Sequence, residues 1–113
     1  TLGGHTNFVC CLLRLRNGNL ASGSYDSTIR IWNLKNKSCL TVIDGDTDKI
    51  MSLAQLPDGN MISGGSQWNI VTYEDNKVKD EIEGHQGCIN SILVYINGLV
   101  ITASADNTIK FWK

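Results

Sequence analysis

The chain has 113 residues, with ten Lys and Arg against eleven Asp and Glu, which gives a formal net charge of −1. This length suits one small domain, and no basic stripe supplies the long-range attraction that nucleic-acid binding needs. There is also no apolar run long enough to span a bilayer and no signal-peptide pattern. We therefore expect no nucleic-acid or membrane partner, and a cytoplasmic protein, with the nucleus as the alternative.

An internal repeat of about 40 residues dominates the sequence. A Gly-His pair is followed by Asp after 21 residues and by Trp after six more, first at His5, Asp26 and Trp32 and again at His85, Asp106 and Trp112. A degenerate copy between them has Asp46, Gln67 and Tyr73 at these places. Such a period predicts stacked units that cannot bury their own apolar faces alone.

Each copy contains short alternating apolar runs bounded by turn residues, which predict strands and no helix. In chain order the predicted strands are 8–15, 19–23, 28–33, 38–43, 49–56, 60–64, 69–74, 77–83, 88–95, 99–104 and 108–113. The turns between first and second strands contain Asn17-Gly18, Pro57-Asp58-Gly59 and Asn97-Gly98, which are typical of hairpins because Asn and Gly tolerate positive φ.

The repeat resembles a known family. Its period, its Gly-His pairs and the run Ala-Ser-Gly-Ser-Tyr-Asp-Ser-Thr-Ile-Arg-Ile-Trp at 21–32 are similar to the WD-repeat β-propellers over essentially the whole chain. The final dipeptides differ from Trp-Asp, being Trp32-Asn33, Tyr73-Glu74 and Trp112-Lys113. The resemblance implies an all-β propeller segment over 1–113, with repeats at about 3–43, 44–83 and 84–113 that form two complete four-stranded antiparallel blades and three strands of another.

The same resemblance implies that the polar signature holds each blade together. The expected hydrogen-bond clusters are His5, Ser22, Asp26 and Trp32, and His85, Thr102, Asp106 and Trp112. Ser, His and Asp also suggest a catalytic triad. We reject that interpretation because the only two His residues occupy equivalent places in a structural repeat. We expect no catalytic residues and no enzyme activity.

No metal or cofactor is expected. Cys10, Cys11, Cys39 and Cys88 lack zinc-site spacing, and buried reduced thiols are favoured over disulfides. The acidic run of Asp44, Asp46 and Asp48 has neither the spacing nor the central Gly of a calcium loop.

Two complete blades and a partial one do not close a ring, because propellers have four to eight blades. A bare apolar face of a few hundred Å² forgoes roughly 10 kcal/mol of burial, at about 25 cal/mol per Å². We therefore expect either further blades of one larger propeller, which we favour, or further copies of this chain that complete a ring as a homo-oligomer.

The resemblance also implies a scaffold that binds proteins or peptides on the upper, loop-bearing face. By position the contact residues are Phe8, Cys10, Tyr25, Lys49, Met51, Ser66, Cys88, Asn90 and Ala105. Phe8 and Tyr25 are the strongest candidates, since exposed aromatic side chains make good binding residues, although packing between blades is the alternative. Trp68 joins them as a turn residue with no role in the repeat, unless it fills the gap left by the degenerate cluster. A propeller enzyme, tested at Asp48 or Lys49, is the rival from another class.

Overall fold

The computed structural model describes residues 1–44 and 49–112, so Asp46 and Asp48 of the sequence discussion lie outside the described residues. The described part consists of strands, turns and loops, and no helix in it could cross a membrane. Its strands are β1 (Val9–Arg14), β2 (Leu20–Ser24), β3 (Thr28–Asn33), β4 (Ser38–Asp44), β5 (Ile50–Gln55), β6 (Met61–Gly65), β7 (Asn69–Glu74), β8 (Lys77–Glu83), β9 (Ile89–Val94), β10 (Val100–Ser104) and β11 (Ile109–Trp112).

These strands form three antiparallel sheets, each built from strands that are consecutive in the chain. Blade 1 is β1-β2-β3-β4, blade 2 is β5-β6-β7-β8, and blade 3 is β9-β10-β11. The all-β prediction, with two four-stranded blades and three strands of another, is therefore confirmed. Strand bounds agree with the predicted ones to within one residue at nearly every end, because alternating apolar residues separated by turn formers leave little choice of register.

The three turns between first and second strands have the same geometry. Glycine takes a φ of +91°, +92° and +87° at Gly18, Gly59 and Gly98, and in each turn its N–H donates to the carbonyl three residues before. The residue before this glycine, Asn, Asp or Asn, accepts a hydrogen bond on its side-chain oxygen from the backbone N–H two residues later. Side-chain acceptors of this kind stabilise a turn from within, so the hairpins are specified locally.

The blades stack face to face, with β5 between β1 and β9. A methyl group at Gly23 would lie 2.6 Å from Cγ2 of Ile50, and one at Gly64 would lie 2.5 Å from Cγ2 of Ile89. The second strands of blades 1 and 2 therefore each present a glycine against which the first isoleucine of the next blade packs. Both isoleucines are completely buried, so this contact fixes how closely successive blades approach.

The free faces of blades 1 and 3 show the same positions without a neighbour. Val9 is 52% exposed, whereas Ile50, at the equivalent place 41 residues later, is 0% exposed. At the other end Ile109 and Phe111 are each 66% exposed, whereas Ile29, the equivalent of Ile109 in blade 1, is 0% exposed. The same apolar positions are thus buried where a neighbouring blade packs against them and exposed where no blade does.

Candidate functional site

Four side chains of blade 1 form one hydrogen-bonded cluster. Nδ1 of His5 lies 2.8 Å from Oδ2 of Asp26, and Nε2 of His5 lies 2.7 Å from Oγ of Ser22. The indole N–H of Trp32 donates to the same Ser22 oxygen at 2.9 Å. An ionised carboxylate only accepts hydrogen bonds, so Nδ1 of His5 carries a proton and donates it to Asp26. The cluster joins the loop before β1 to β2 and β3.

Blade 3 repeats this arrangement with threonine in place of serine. His85 contacts Asp106 through Nδ1 at 2.8 Å and Thr102 through Nε2 at 2.6 Å, and the indole N–H of Trp112 donates to Thr102 at 3.0 Å. His85 is 1% and Thr102 0% exposed. Both ring nitrogens of His85 and the hydroxyl of Thr102 thus have partners, as burial requires.

Sequence reasoning missed one member of each cluster. The hydroxyls of Thr28 and Thr108 donate to the Oδ1 atoms of Asp26 and Asp106 at 2.6 Å and 2.5 Å. The available signal was the Thr that follows each Asp by two residues in both well-preserved copies. Because each carboxylate also accepts backbone N–H groups, both of its oxygens are used.

These bonds shift the acidity of both carboxyl groups. Burial raises the pKa of Asp26, but hydrogen bonds from the Thr28 side chain, from His5 and from two backbone N–H groups outweigh it and hold this pKa well below its ordinary value. The Thr108 hydroxyl bond, followed by backbone and His85 bonds, likewise lowers the pKa of Asp106. Both aspartates are therefore ionised at neutral pH, because hydrogen bonds to a carboxylate favour its charged form.

The cluster hydroxyls are poorly placed for nucleophilic chemistry. Ser22 is 3% exposed and already accepts the indole N–H of Trp32, and Thr102 is enclosed in the same way. A substrate could reach neither oxygen without opening the blade, whereas a nucleophile must be accessible. The hydrogen bonds of the Ser-His-Asp and Thr-His-Asp groups in this chain hold loops and strands of one blade together.

Blade 2 replaces the cluster by a smaller pair. Tyr73 takes the position of the tryptophan and is 1% exposed, and its hydroxyl lies 2.9 Å from Oγ of Ser63. Gln67, at the aspartate position, is exposed, and Asp46, at the histidine position, lies outside the described residues. The hydroxyl groups of Ser63 and Tyr73 are the buried polar groups described at the cluster positions of this blade, and each is the hydrogen-bond partner of the other.

The predicted contact residues lie at one end of the three sheets, where first strands begin and second strands end. Main-chain bonds join them in pairs. The N–H of Tyr25 donates to the carbonyl of Phe8 at 2.9 Å, and the same bond links Ser66 to Lys49 at 3.2 Å and Ala105 to Cys88 at 2.9 Å. We call this end of the blades, which carries these six residues, the upper face.

Three further predicted residues share a feature that the sequence did not reveal. In each first strand the register skips one residue, and the skipped residues are Cys10, Met51 and Asn90. Each is therefore the extra residue of a β-bulge. Bulges re-aim side chains relative to the regular pleat, and they recur next to binding sites. Cys10 and Asn90 are exposed and Met51 is half-buried.

Three of the candidates form a compact group on the upper face. Phe8 is 73% exposed, and its ring centroid lies 5.8 Å from that of Tyr25 at an interplanar angle of 49°. Nζ of Lys49 lies 4.7 Å from the centroid of the Tyr25 ring, a cation–π contact between blade 1 and blade 2. We call Phe8, Tyr25 and Lys49 the aromatic–lysine group.

Trp68 stands apart from this group. It occupies the same turn position as Ser27 and Asn107, and all three take a φ of +72° or +73°. Its carbonyl accepts the N–H groups of Gly84 and His85 at 3.2 Å and 3.1 Å, so its backbone connects blade 2 to the next repeat. The side chain is 46% exposed, and Tyr73 takes the position of the tryptophan in the degenerate cluster.

The four cysteines are free thiols, in agreement with the prediction, but none is fully buried. Cys10 and Cys39 are exposed, the first because it is a bulge residue and the second because it lies on the outer strand β4. Burial raises the pKa of Cys11 to about 11 and also raises that of Cys10. Within residues 1–44 and 49–112, no cluster of three or more His, Cys, Asp or Glu could hold a metal ion.

The three antiparallel sheets are stacked, and each is built from consecutive strands. Two of them contain the same polar cluster at equivalent places. These features define blades of a β-propeller. The sequence profile described as "WD domain, G-beta repeat" matches residues 1–33, 37–79 and 75–113. The chain belongs to this WD40 family. The crystal structure of the WD40 β-propeller domain of Doa1 superposes with a TM-score of 0.89 at 23% identity, covering 96% of this chain and 38% of that one, which establishes the fold.

Curated relatives come from several functional settings. The ribosome biogenesis protein YTM1 of Vanderwaltozyma polyspora is 30% identical over 86% of this chain and 25% of its own length. The ubiquitin homeostasis protein lub1 of Schizosaccharomyces pombe is 39% identical over 69% and 11%. The small ribosomal subunit protein RACK1y of Oryza sativa subsp. japonica is 27% identical over 96% and 34%. The chain thus spans about a third or less of each relative.

Proposed function

We propose that this chain is part of a non-catalytic scaffold that binds peptide or protein partners on the upper face. The aromatic–lysine group carries the proposal, because Phe8 leaves 73% of a large apolar side chain in solvent beside the Tyr25 ring. Aromatic residues that become buried on association supply much of the affinity of protein interfaces.

The remaining proposed contacts are distributed over all three blades. They are Cys10, Met51, Ser66, Trp68, Cys88, Asn90 and Ala105. The bulges at Cys10, Met51 and Asn90 support the assignment, since bulges favour projection of side chains away from the sheet. The exposed indole of Trp68, held at a positive φ that is strained for an aromatic residue, supports it as a second contact point.

The relatives support the same class of activity. YTM1 is named for ribosome biogenesis and RACK1y as a small ribosomal subunit protein, names that associate both with a large assembly. A cytoplasmic location, with the nucleus as the alternative, fits a protein of this kind. The net charge of −1 supports protein partners over nucleic acid.

The test compares two exposed apolar side chains at opposite ends of the blades. Binders are selected from a random peptide library displayed on phage against the full-length native protein, and their affinities are then measured for the Phe8→Ala and Ile96→Ala variants. Ile96 is 97% exposed in a turn at the opposite end, so it is a matched control. We expect Phe8→Ala to weaken binding about tenfold or more and Ile96→Ala to leave it unchanged. If Phe8→Ala and Ile96→Ala weaken binding equally, or if the library yields no binding peptides, the proposal is refuted.

A second candidate is a structural arc in which copies of this chain complete a ring. One observation favours it. Ala103 stands in blade 3 where Gly23 and Gly64 stand in the other blades, and Val9 stands where Ile50 and Ile89 do. An Ala–Val contact between copies would conserve the carbon count of the Gly–Ile contacts, and volume-conserving exchanges are tolerated best. Sedimentation of the native protein distinguishes the candidates, since a ring requires a multiple of the chain mass.

A further inference from the structure

We propose that the aromatic–lysine group recognises a peptide segment in which an apolar side chain is followed closely by a carboxylate. The apolar side chain packs on Phe8 and the edge of Tyr25, and the carboxylate pairs with the ammonium group of Lys49. This inference rests on the proposed function and specifies the chemistry of its partner.

The backbone of the aromatic half is joined before any partner arrives. The Tyr25 N–H bond to the Phe8 carbonyl joins the two residues across the end of blade 1, and their tilted rings lie 5.8 Å apart. The backbone that carries both rings therefore does not have to be ordered on binding, which lowers the cost of association. The exposed Phe8 ring offers the apolar surface, and Tyr25 is half-buried beneath the contact.

The cationic half is also held by its backbone. The Lys49 N–H donates to Oγ of Ser66 at 3.0 Å, and its carbonyl accepts the Ser66 N–H at 3.2 Å. The side chain crosses from blade 2 to lie over the Tyr25 ring, where the cation–π contact keeps the ammonium beside the aromatic surface. An apolar residue and a carboxylate of one short segment can therefore contact both halves together.

Among the described residues, no carboxylate forms a salt bridge with the ammonium group of Lys49. In the described ranges 1–44 and 49–112, the salt bridges are His5–Asp26, Lys79–Glu74 and His85–Asp106, and none involves Lys49. Partial desolvation raises the pKa of the neighbouring Cys10 thiol, so this group is neutral at physiological pH and adds no negative charge. An ammonium with three donors beside an open aromatic ring selects for an anionic oxygen.

A single lysine favours a carboxylate of a peptide over a nucleic-acid backbone. Polyphosphate chains bind through several cations at once, and the affinity grows with each phosphate neutralised. The aromatic–lysine group contains one cation in a chain of net charge −1. Binding of single-stranded RNA with higher affinity than the selected peptides would overturn the inference.

The test repeats the peptide selection on the full-length native protein and on the Lys49→Gln, Lys49→Glu and Phe8→Ala variants, with Lys35→Gln as the control for a lysine in an exposed turn. We expect the unaltered protein and Lys35→Gln to enrich peptides in which an apolar residue lies within a few positions of Asp or Glu. Lys49→Gln should keep the apolar preference and lose the acidic one. Lys49→Glu should replace the acidic preference by a basic one, and Phe8→Ala should lose the apolar preference.

Affinities of one selected peptide make the test quantitative. Changing its acid to the amide, or Lys49 to Gln, should each weaken binding about two- to fivefold, the range for exposed ion pairs, and the two changes together should cost no more than either alone. Thermal unfolding of each variant checks that the fold is unchanged. Absence of any enrichment would refute the proposed function itself. Enrichment of apolar residues without acids would leave that function intact and overturn this inference.

Discussion

The closest approach between blades 2 and 3 can be tested by adding one methyl group. In Gly64→Ala the new Cβ would lie 2.5 Å from Cγ2 and 2.7 Å from Cβ of Ile89, and 3.0 Å from Oγ of Ser52. The isoleucine atoms belong to the stiff, branched start of a fully buried side chain, so they cannot turn away. The blades must separate or β6 must shift. We expect a loss of about 1–3 kcal/mol in the free energy of unfolding, as is typical of an overpacked core.

The assay is urea unfolding of the full-length native protein, followed by tryptophan fluorescence. Gly3→Ala is the matched control, because nothing lies within 4 Å of a methyl group at that glycine and its φ is not positive. We expect this control to stay within about 0.5 kcal/mol of the unaltered protein.

A double-mutant cycle identifies the cause. Ile89→Ala alone removes buried carbons and should cost about 2–5 kcal/mol. In the double variant the methyl group added at position 64 enters the space vacated by Cγ2, so the combined loss should be smaller than the sum by about 1 kcal/mol or more. Additive losses, or a Gly64→Ala variant as stable as Gly3→Ala, would show that the glycine does not set the spacing of the blades.

Three further outcomes are expected. Ser22→Ala removes the shared partner of His5 and Trp32 and should lower the free energy of unfolding by about 1–3 kcal/mol in the same assay, and a neutral effect would contradict a structural role for the cluster. The folded pKa of Asp26 lies below its unfolded value, so its stabilisation is complete above about pH 4 and is lost as the pH falls further. Asp26→Asn should therefore be less stable at neutral pH and should flatten the decline measured below about pH 4, and an unchanged slope would argue against this linkage. With its pKa at about 11, Cys11 should react with iodoacetamide roughly a hundredfold more slowly than in the urea-unfolded chain, as followed by peptide mass spectrometry, and equal rates would contradict its burial.

The strands and turns could be predicted because they depend on local chemistry. Alternation places apolar residues such as Ile29 and Ile31 on one face, and the glycines of the three hairpins meet a backbone requirement that few other residues satisfy. The polar clusters were predicted from the resemblance to WD-repeat β-propellers, at the residues that recur in the well-preserved copies. Among the cluster members, the threonines at 28 and 108 were overlooked.

Other features depend on contacts between blades, which no single repeat encodes. Cys10 lies at a bulge, and alternation alone cannot reveal where the register skips a residue. The hydroxyl pair that replaces the cluster in blade 2 depends on the approach of Ser63 to Tyr73 across the sheet. The cation–π contact of Lys49 requires the stacking distance between blades 1 and 2, which is known only after they pack.

The main-chain bonds of the upper face explain how one structural repeat can hold different contact residues. Phe8–Tyr25, Lys49–Ser66 and Cys88–Ala105 are joined by the same N–H···O=C bond, although their side chains have little in common. A bond between backbone atoms makes no demand on the side chains of the residues it joins. The adjacent clusters of blades 1 and 3 supply the specific interactions that each loop needs, so the contact positions can vary without loss of the blade. The side chains free to differ among copies are therefore those at the ends of these main-chain bonds, which is where the proposed contact residues lie.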